Sequence, residues 1–147
     1  MNSNVASVMR CTLRLEWRSV GVVLADPDGK IKFPKLPAKP GLYQFKIFRR
    51  NGSQAIYVGE TDNLQRRFAH YRNPGPTQQT NLRLNALFKE LMSQGAKIEV
   101  EIVTDQAWIT WSGSEVVADL DRKPLRRLFE NFALCAERAS DVEDLNR

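Results

Sequence analysis

The chain has 147 residues, 42% hydrophobic and 27% charged, with a formal charge of +5, which fits one soluble globular domain with a modest core. No window approaches the roughly 18 consecutive apolar residues of a membrane span, and the N-terminal run lacks the basic start and apolar stretch of a secretory signal. Cys11 and Cys135 are far apart and lack metal-site spacing, so they read as reduced thiols of a cytoplasmic protein.

In chain order, Cys11, Leu13, Leu15 and Trp17 alternate with Thr12, Arg14 and Glu16, the period of a half-buried strand. Val20 to Leu24 is a second apolar run, Asp26-Pro-Asp-Gly29 a turn, and Lys30 to Phe33 a return. Three prolines between residues 34 and 40 remove donors and fix φ, so this segment reads as a linker or edge. Two strands follow, residues 42–48 and 55–58, joined through Asn51-Gly52, a hairpin signal.

Asp62 with Gln65 three residues on reads as the cap of a helix that buries Leu64 and Phe68 and ends by Asn73-Pro74. Residues 80–95 predict a second helix, with Leu84, Leu87, Phe88 and Leu91 on one face and Gly95 as its stop. Residues 97–103 alternate as a strand, and Trp108 to Gly113 is ambiguous between structures. Pro124 suits the first turn of a last helix with Leu125, Leu128, Phe129, Phe132 and Ala136 as its stripe. This order predicts an α+β fold, a small antiparallel sheet flanked by helices.

The basic excess lies early. Residues 1–40 carry seven Lys/Arg against three Asp/Glu, residues 41–90 eight against three, and residues 91–147 seven against eleven. Arg49, Arg50, Arg66, Arg67, Arg72 and Arg83 concentrate the charge, and guanidinium forks suit phosphate. A basic half also serves solubility, and together these features fit a nucleic-acid partner.

The chain has only three tyrosines and one histidine, and Tyr43, Tyr57, Tyr71 and His70 fall close together. Arg67 and Tyr71 share one helical face, with Arg66 and His70 as a second rung. Guanidinium stabilises a pentacoordinate phosphorus, and a phenol passes a proton or orients water. A phenol ionises near pH 10, so a tyrosine base needs a cation beside it. Strand tyrosines are also ordinary half-buried packing residues with a wet hydroxyl, and Arg66 and Arg67 ordinary surface charges.

Glu130 is the carboxylate of interest for a metal, because Mg²⁺ prefers oxygen ligands and keeps several waters. It stands one turn after Arg126, which would make an exposed ion pair worth a few tenths of a kcal/mol. Leu134 one turn further instead suggests a partly covered cleft edge. Phosphate loops, dinucleotide fingerprints, histidine cages and Cys/His pairs are missing from the sequence.

Taken together, Gly41-Leu42-Tyr43, Tyr57-Val58-Gly59, Arg67 ten residues after Tyr57, Tyr71, and Glu130 in Leu128-Phe-Glu-Asn-Phe132 resemble the GIY-YIG nuclease family. The resemblance spans roughly residues 41–146. It implies a catalytic domain at residues 41–147 behind a β-rich, proline-linked extension at residues 1–40. It further implies hydrolysis of DNA phosphodiesters with one divalent ion, Mg²⁺ or Mn²⁺, on Glu130, leaving 5′-phosphate and 3′-hydroxyl ends. Arg67, with Tyr71 beside it, would stabilise the phosphorane, and either Tyr43 or Tyr57 would be the base.

Two positions depart from the family pattern. Glu60 stands where the excision-repair branch has lysine, and the terminal asparagine, Asn146, lacks the family's preceding proline. With only the first forty residues outside the catalytic module, substrate recognition would come from those strands, a homodimer or a separate recognition subunit. A nucleic-acid-binding module of the same fold without turnover is the alternative, and a structural partner subunit a third.

Overall fold

The computed structural model describes residues 4–137 and 142–146; the first three residues of the N-terminal run and Arg147 of the terminal Asp-Leu-Asn-Arg lie outside that description, as do residues 138–141. The N-terminal part forms β1 (Thr12–Leu15), β2 (Arg18–Val22), β3 (Leu24–Ala25) and β4 (Ile31–Lys32). Next come β5 (Gly41–Phe48), β6 (Gln54–Thr61), α1 (Leu64–Arg72), α2 (Gln79–Ser93) and β7 (Lys97–Val103). The chain continues through β8 (Ala107–Trp111), β9 (Ser114–Val117), α3 (Lys123–Glu137) and β10 (Glu143–Asp144). The α+β expectation holds.

The main sheet has the order β10-β6-β5-β7-β2, with β5 at the centre and antiparallel to β6 and β7. β10 is parallel to β6, an exception to the expected antiparallel sheet. β2 pairs with β7, so the extension supplies a strand to the same sheet. β1, β8 and β9 make a second sheet, and β3 and β4 a small hairpin.

Alternation along β5 and β6 sorts their side chains. Tyr43, Phe45, Ile47 and Tyr57 face a core completed by Leu64, Phe68 and Tyr71 of α1 and Leu84, Phe88 and Leu91 of α2. Leu42 faces the other way with Phe129 of α3, and Ile56 and Val58 with Ala133. Tyr43 and Tyr57 therefore sit beneath α1 and α2, while α3 covers the reverse face.

Several boundaries moved for identifiable reasons. β6 starts one residue before and ends three residues after the apolar run 55–58, because its register with β5 runs from Phe48↔Gln54 to Gly41↔Thr61. Asn63 rather than Asp62 caps α1, accepting from the Arg66 N–H at 3.0 Å, while Asp62 pairs with the Arg66 side chain. The ambiguous stretch at Trp108 is β8, whose partner β1 lies far away in sequence.

The proline-rich segment has a role that its composition alone does not reveal. Prolines cannot donate, but the Lys39 and Pro37 carbonyls accept from the Leu64 and Gln65 N–H groups at 2.9 and 3.2 Å, satisfying donors that a helix start leaves open. The other end of α1 is satisfied by α2. Buried Asn85 donates through Nδ2 to the Tyr71 and Arg72 carbonyls at 2.7 and 3.3 Å.

Replacing Asn85 by leucine would strand those carbonyls and is expected to lower stability by about 1–3 kcal/mol. A chemical-denaturation midpoint checks this, and an unchanged midpoint would show that water replaces the amide.

Candidate active site

Tyr43 stands opposite Gly59 in the β5–β6 register, and its ring lies across that glycine. A Cβ on Gly59 would come within 2.3 Å of the Tyr43 ring and hydroxyl, so only glycine leaves room for this placement. From there the Tyr43 hydroxyl shares a 2.6 Å hydrogen bond with the Tyr71 hydroxyl, and Arg67 Nε donates to it at 3.2 Å. The Arg67 guanidinium also lies over the Tyr71 ring, 5.0 Å from its centroid. Tyr57 stacks on Tyr43 with centroids 6.5 Å apart.

The structure thus brings Tyr43, Tyr57, Arg67 and Tyr71 into one bonded group. The ordinary reading of Tyr43 and Tyr57 as half-buried residues with wet hydroxyls is corrected, because Tyr43 is 1% exposed, Tyr71 0% and Tyr57 8%. Tyr57 is the phenol nearest to solvent.

Burial governs the ionisation of the group. It pushes Tyr43 up to about 12, against the pull of the Arg67 charge and the Tyr71 hydrogen bond. Tyr57 and Tyr71 are also raised, again chiefly by burial, with neighbouring phenols adding to it. Burial alone would lower Arg67, but the Tyr43 and Tyr71 phenols override it and hold the guanidinium charged. The phenols therefore stay neutral at neutral pH.

Glu130 reaches the same neighbourhood from the other face of the sheet. Leu145 N donates to the Ile56 carbonyl at 2.9 Å, and Val58 N donates to Asn146 Oδ1 at 2.8 Å. The Asn146 amide also donates to the Val58 carbonyl, so its side chain continues the ladder that β10 begins along the outer edge of β6. Alternation puts the Glu60 N–H on that edge too, and it faces the half-buried Glu130 carboxyl. Burial, then the Glu60 charge, raises Glu130, while the Glu60 N–H works the other way. Tyr43 and Glu130 thus flank the Gly59-Glu60 segment from opposite faces.

Glu60 has its own partner. Arg126 is only 6% exposed, donates to Glu60 Oε2 at 2.7 Å and gives Nη1 to the Leu120 and Asp121 carbonyls at 3.0 Å each. Of the two readings of Glu130, the partly covered position is found and the exposed pair with Arg126 is not: Arg126 is buried and pairs with Glu60.

The remaining arginines divide. Arg72 turns toward the extension, donating to the Ile31 carbonyl at 2.5 Å and Asp26 Oδ2 at 2.8 Å. Arg49 pairs with Glu143 at 3.0 Å, and Arg66 pairs with Asp62. Arg50 lies over Gly95, and Arg83 reaches the Leu145 carbonyl at 3.4 Å and lowers Tyr57 slightly through its charge. His70 and Arg67 share a cleft of about 290 Å³ with Gln78, Gln79, Thr80 and Asn81 at the start of α2. Sequence reading missed the Arg126–Glu60 pair and the α2 end of this cleft, because neither has a motif. Among the described residues no cluster of three His, Cys, Asp or Glu forms a ready-made metal cage, and no helix is long and apolar enough to cross a membrane.

No family model matches the chain, and no curated protein matches it. Among solved structures it is similar to a mutant of bacteriophage T4 EndoII, with 19% identity and a TM-score of 0.56, over 83% of this chain and 88% of that one. The two share a fold.

The raised phenols set an alkaline limit. The folded state favours neutral Tyr43, so its contribution is complete below the ordinary tyrosine value of 10.0 and is lost as pH rises toward about 12. Tyrosinate absorbance should rise together with loss of circular dichroism in that window; tyrosines that ionise near their ordinary value in folded protein would contradict this burial. Separately, Arg126→Met is expected to cost about 3–5 kcal/mol, because it leaves a Glu60 charge and two carbonyls unpaired. The second change Glu60→Gln should recover part of that loss in thermal melts.

Proposed function

We propose that this chain is a GIY-YIG-type endonuclease that hydrolyses DNA phosphodiester bonds to 5′-phosphate and 3′-hydroxyl ends. The observation that carries the proposal is the Arg67 guanidinium bonded to the Tyr43 hydroxyl inside the three-tyrosine group. The fold shared with the phage endonuclease EndoII supports it. A fixed guanidinium beside a polar cleft is suited to the charge that builds on a pentacoordinate phosphorus.

The tyrosines divide the remaining work by exposure. Tyr57, the least buried, would meet the attacking water. Tyr43 and Tyr71 would hold Arg67 in place and relay protons through their shared hydrogen bond. Because burial keeps the phenols neutral, they orient the water rather than stand as ready bases.

Glu130 fits a cation. Its carboxyl is half-buried next to a second carboxylate, and burial together with the Glu60 charge disfavours its ionised form, a condition that a nearby positive ion relieves. Glu130 would hold one Mg²⁺ or Mn²⁺, with water and phosphate oxygens as the other ligands. Such an ion would supply stabilisation of the charge on the phosphate and leaving oxygen. Target recognition is assigned to the extension, to a homodimer or to a separate subunit.

The test is cleavage of duplex, branched and single-stranded DNA with Mg²⁺ or Mn²⁺. Arg67→Ala is expected to reduce cleavage by about 10²-fold or more, and Glu130→Ala to abolish it while DNA binding persists. Cleavage that survives both substitutions would overturn the site. Salt-sensitive binding by the wild type with no cleavage of any substrate would instead favour the alternative, a binding module of the same fold.

A further inference from the structure

On the far side of α1 from the Arg67 cleft lies a second pocket, of about 220 Å³, between that helix and the segment from Lys32 to Leu36. The chemistry above does not use it. Its volume exceeds the roughly 150 Å³ that holds a benzene ring and falls below the roughly 300 Å³ at which drug-sized sites begin. One flat heterocycle matches that space.

The walls also suit a ring. Phe33 and Phe68 meet edge to face at 5.0 Å and 74°, and Leu36 closes the apolar side. Exposed Gln65 stands at the mouth, with an amide that can both donate and accept toward a heterocycle edge. Exposed Lys32 and Lys35 line the rim and form no ion pair among the described residues. No acidic side chain lines the pocket, so its charge complements an anionic chain. Arg72, tied to Asp26 and the Ile31 carbonyl, anchors the wall that the extension supplies.

The pocket and the active site share a side chain. Phe68 meets Phe33 on one side and Tyr43 at 5.2 Å on the other, and it follows Arg67 directly in the chain. The pocket and Arg67 lie on opposite sides of a helix about 10–12 Å across, so a base in the pocket belongs to a nucleotide further along the strand than the one whose phosphate lies at Arg67.

We propose that this pocket receives one unpaired nucleobase of the DNA strand held at Arg67, with Lys32 and Lys35 on the adjoining phosphates. This rests on the nucleic-acid reading of the site, and it makes the N-terminal extension the recognition element. A base enters the pocket only after leaving its stack, which is easiest where it is already unpaired. The protein should thus prefer single strands and duplexes with an unpaired base over fully paired duplex.

Fluorescence anisotropy in chelator, at one salt concentration, measures the affinity for three labelled ligands: a single strand, a duplex with one unpaired base and the fully paired duplex. The wild type is expected to bind the first two roughly fivefold or more tightly than the third, the scale of one base–aromatic stack. Ala69→Trp, which places an indole into the pocket from an exposed helix position, should bring all three affinities together without moving the melting temperature. Lys32→Glu with Lys35→Glu should weaken binding of the single strand.

Equal wild-type affinities, or a preference that survives Ala69→Trp, would overturn the proposal; so would unchanged binding in the lysine double variant. Cleavage with Mg²⁺ is scored separately. Cleavage without base preference refutes the pocket and leaves the nuclease reading intact, whereas base preference without cleavage does the reverse.

Discussion

The arrangement depends on the Tyr43 ring lying across Gly59. Antiparallel register sets the two residues opposite each other, and the missing Cβ lets an aromatic ring occupy the space above the strand. That placement sends the Tyr43 hydroxyl to Tyr71 and Arg67, which tie α1 to the centre of the sheet. A larger residue at 59 would displace the ring and with it the acceptor that holds the guanidinium. Gly59 therefore acts through the space that its missing side chain leaves for the Tyr43 ring.

Around this contact the protein places cations on both sides of the sheet. Arg67 bonds the phenols on one side, and on the reverse side Arg126 occupies Glu60. Glu60 thus has a partner on α3, a buried pair that joins α3 to β6 and stands beside Glu130. An intact buried pair adds little net stability, but removing one partner leaves a costly unpaired charge.

The outer edge of β6 and the proline-rich segment show a second economy. β10 spans only two residues, and the ladder beyond it is continued by the Asn146 side chain on Val58. At α1, carbonyls of a segment unable to form regular structure satisfy the first turn. In both places backbone groups that would otherwise face open edge or helix end find partners from remote parts of the chain. These contacts connect the proline-rich segment to the start of α1 and the C-terminal residues to the outer edge of β6.

Local pattern determined much of this protein. The alternation at residues 97–103, the Asn51-Gly52 hairpin, the apolar stripes of three helices and the spacing of Tyr43, Tyr57, Arg67 and Tyr71 are all written within short windows, because periods of 2 and 3.6 are local properties. The α+β class and the tyrosine–arginine group follow from them. Tertiary structure alone decided the rest. It paired Arg126 with Glu60 across 66 positions, turned Arg72 into the hairpin, gave β8 its partner β1, and joined β10 to β6 in parallel. Those choices depend on which remote groups meet at a buried or edge position, and side-chain type does not encode that meeting. An arginine on a helix reads the same whether it will face solvent, a phosphate or a buried carboxylate; only the folded neighbourhood distinguishes them.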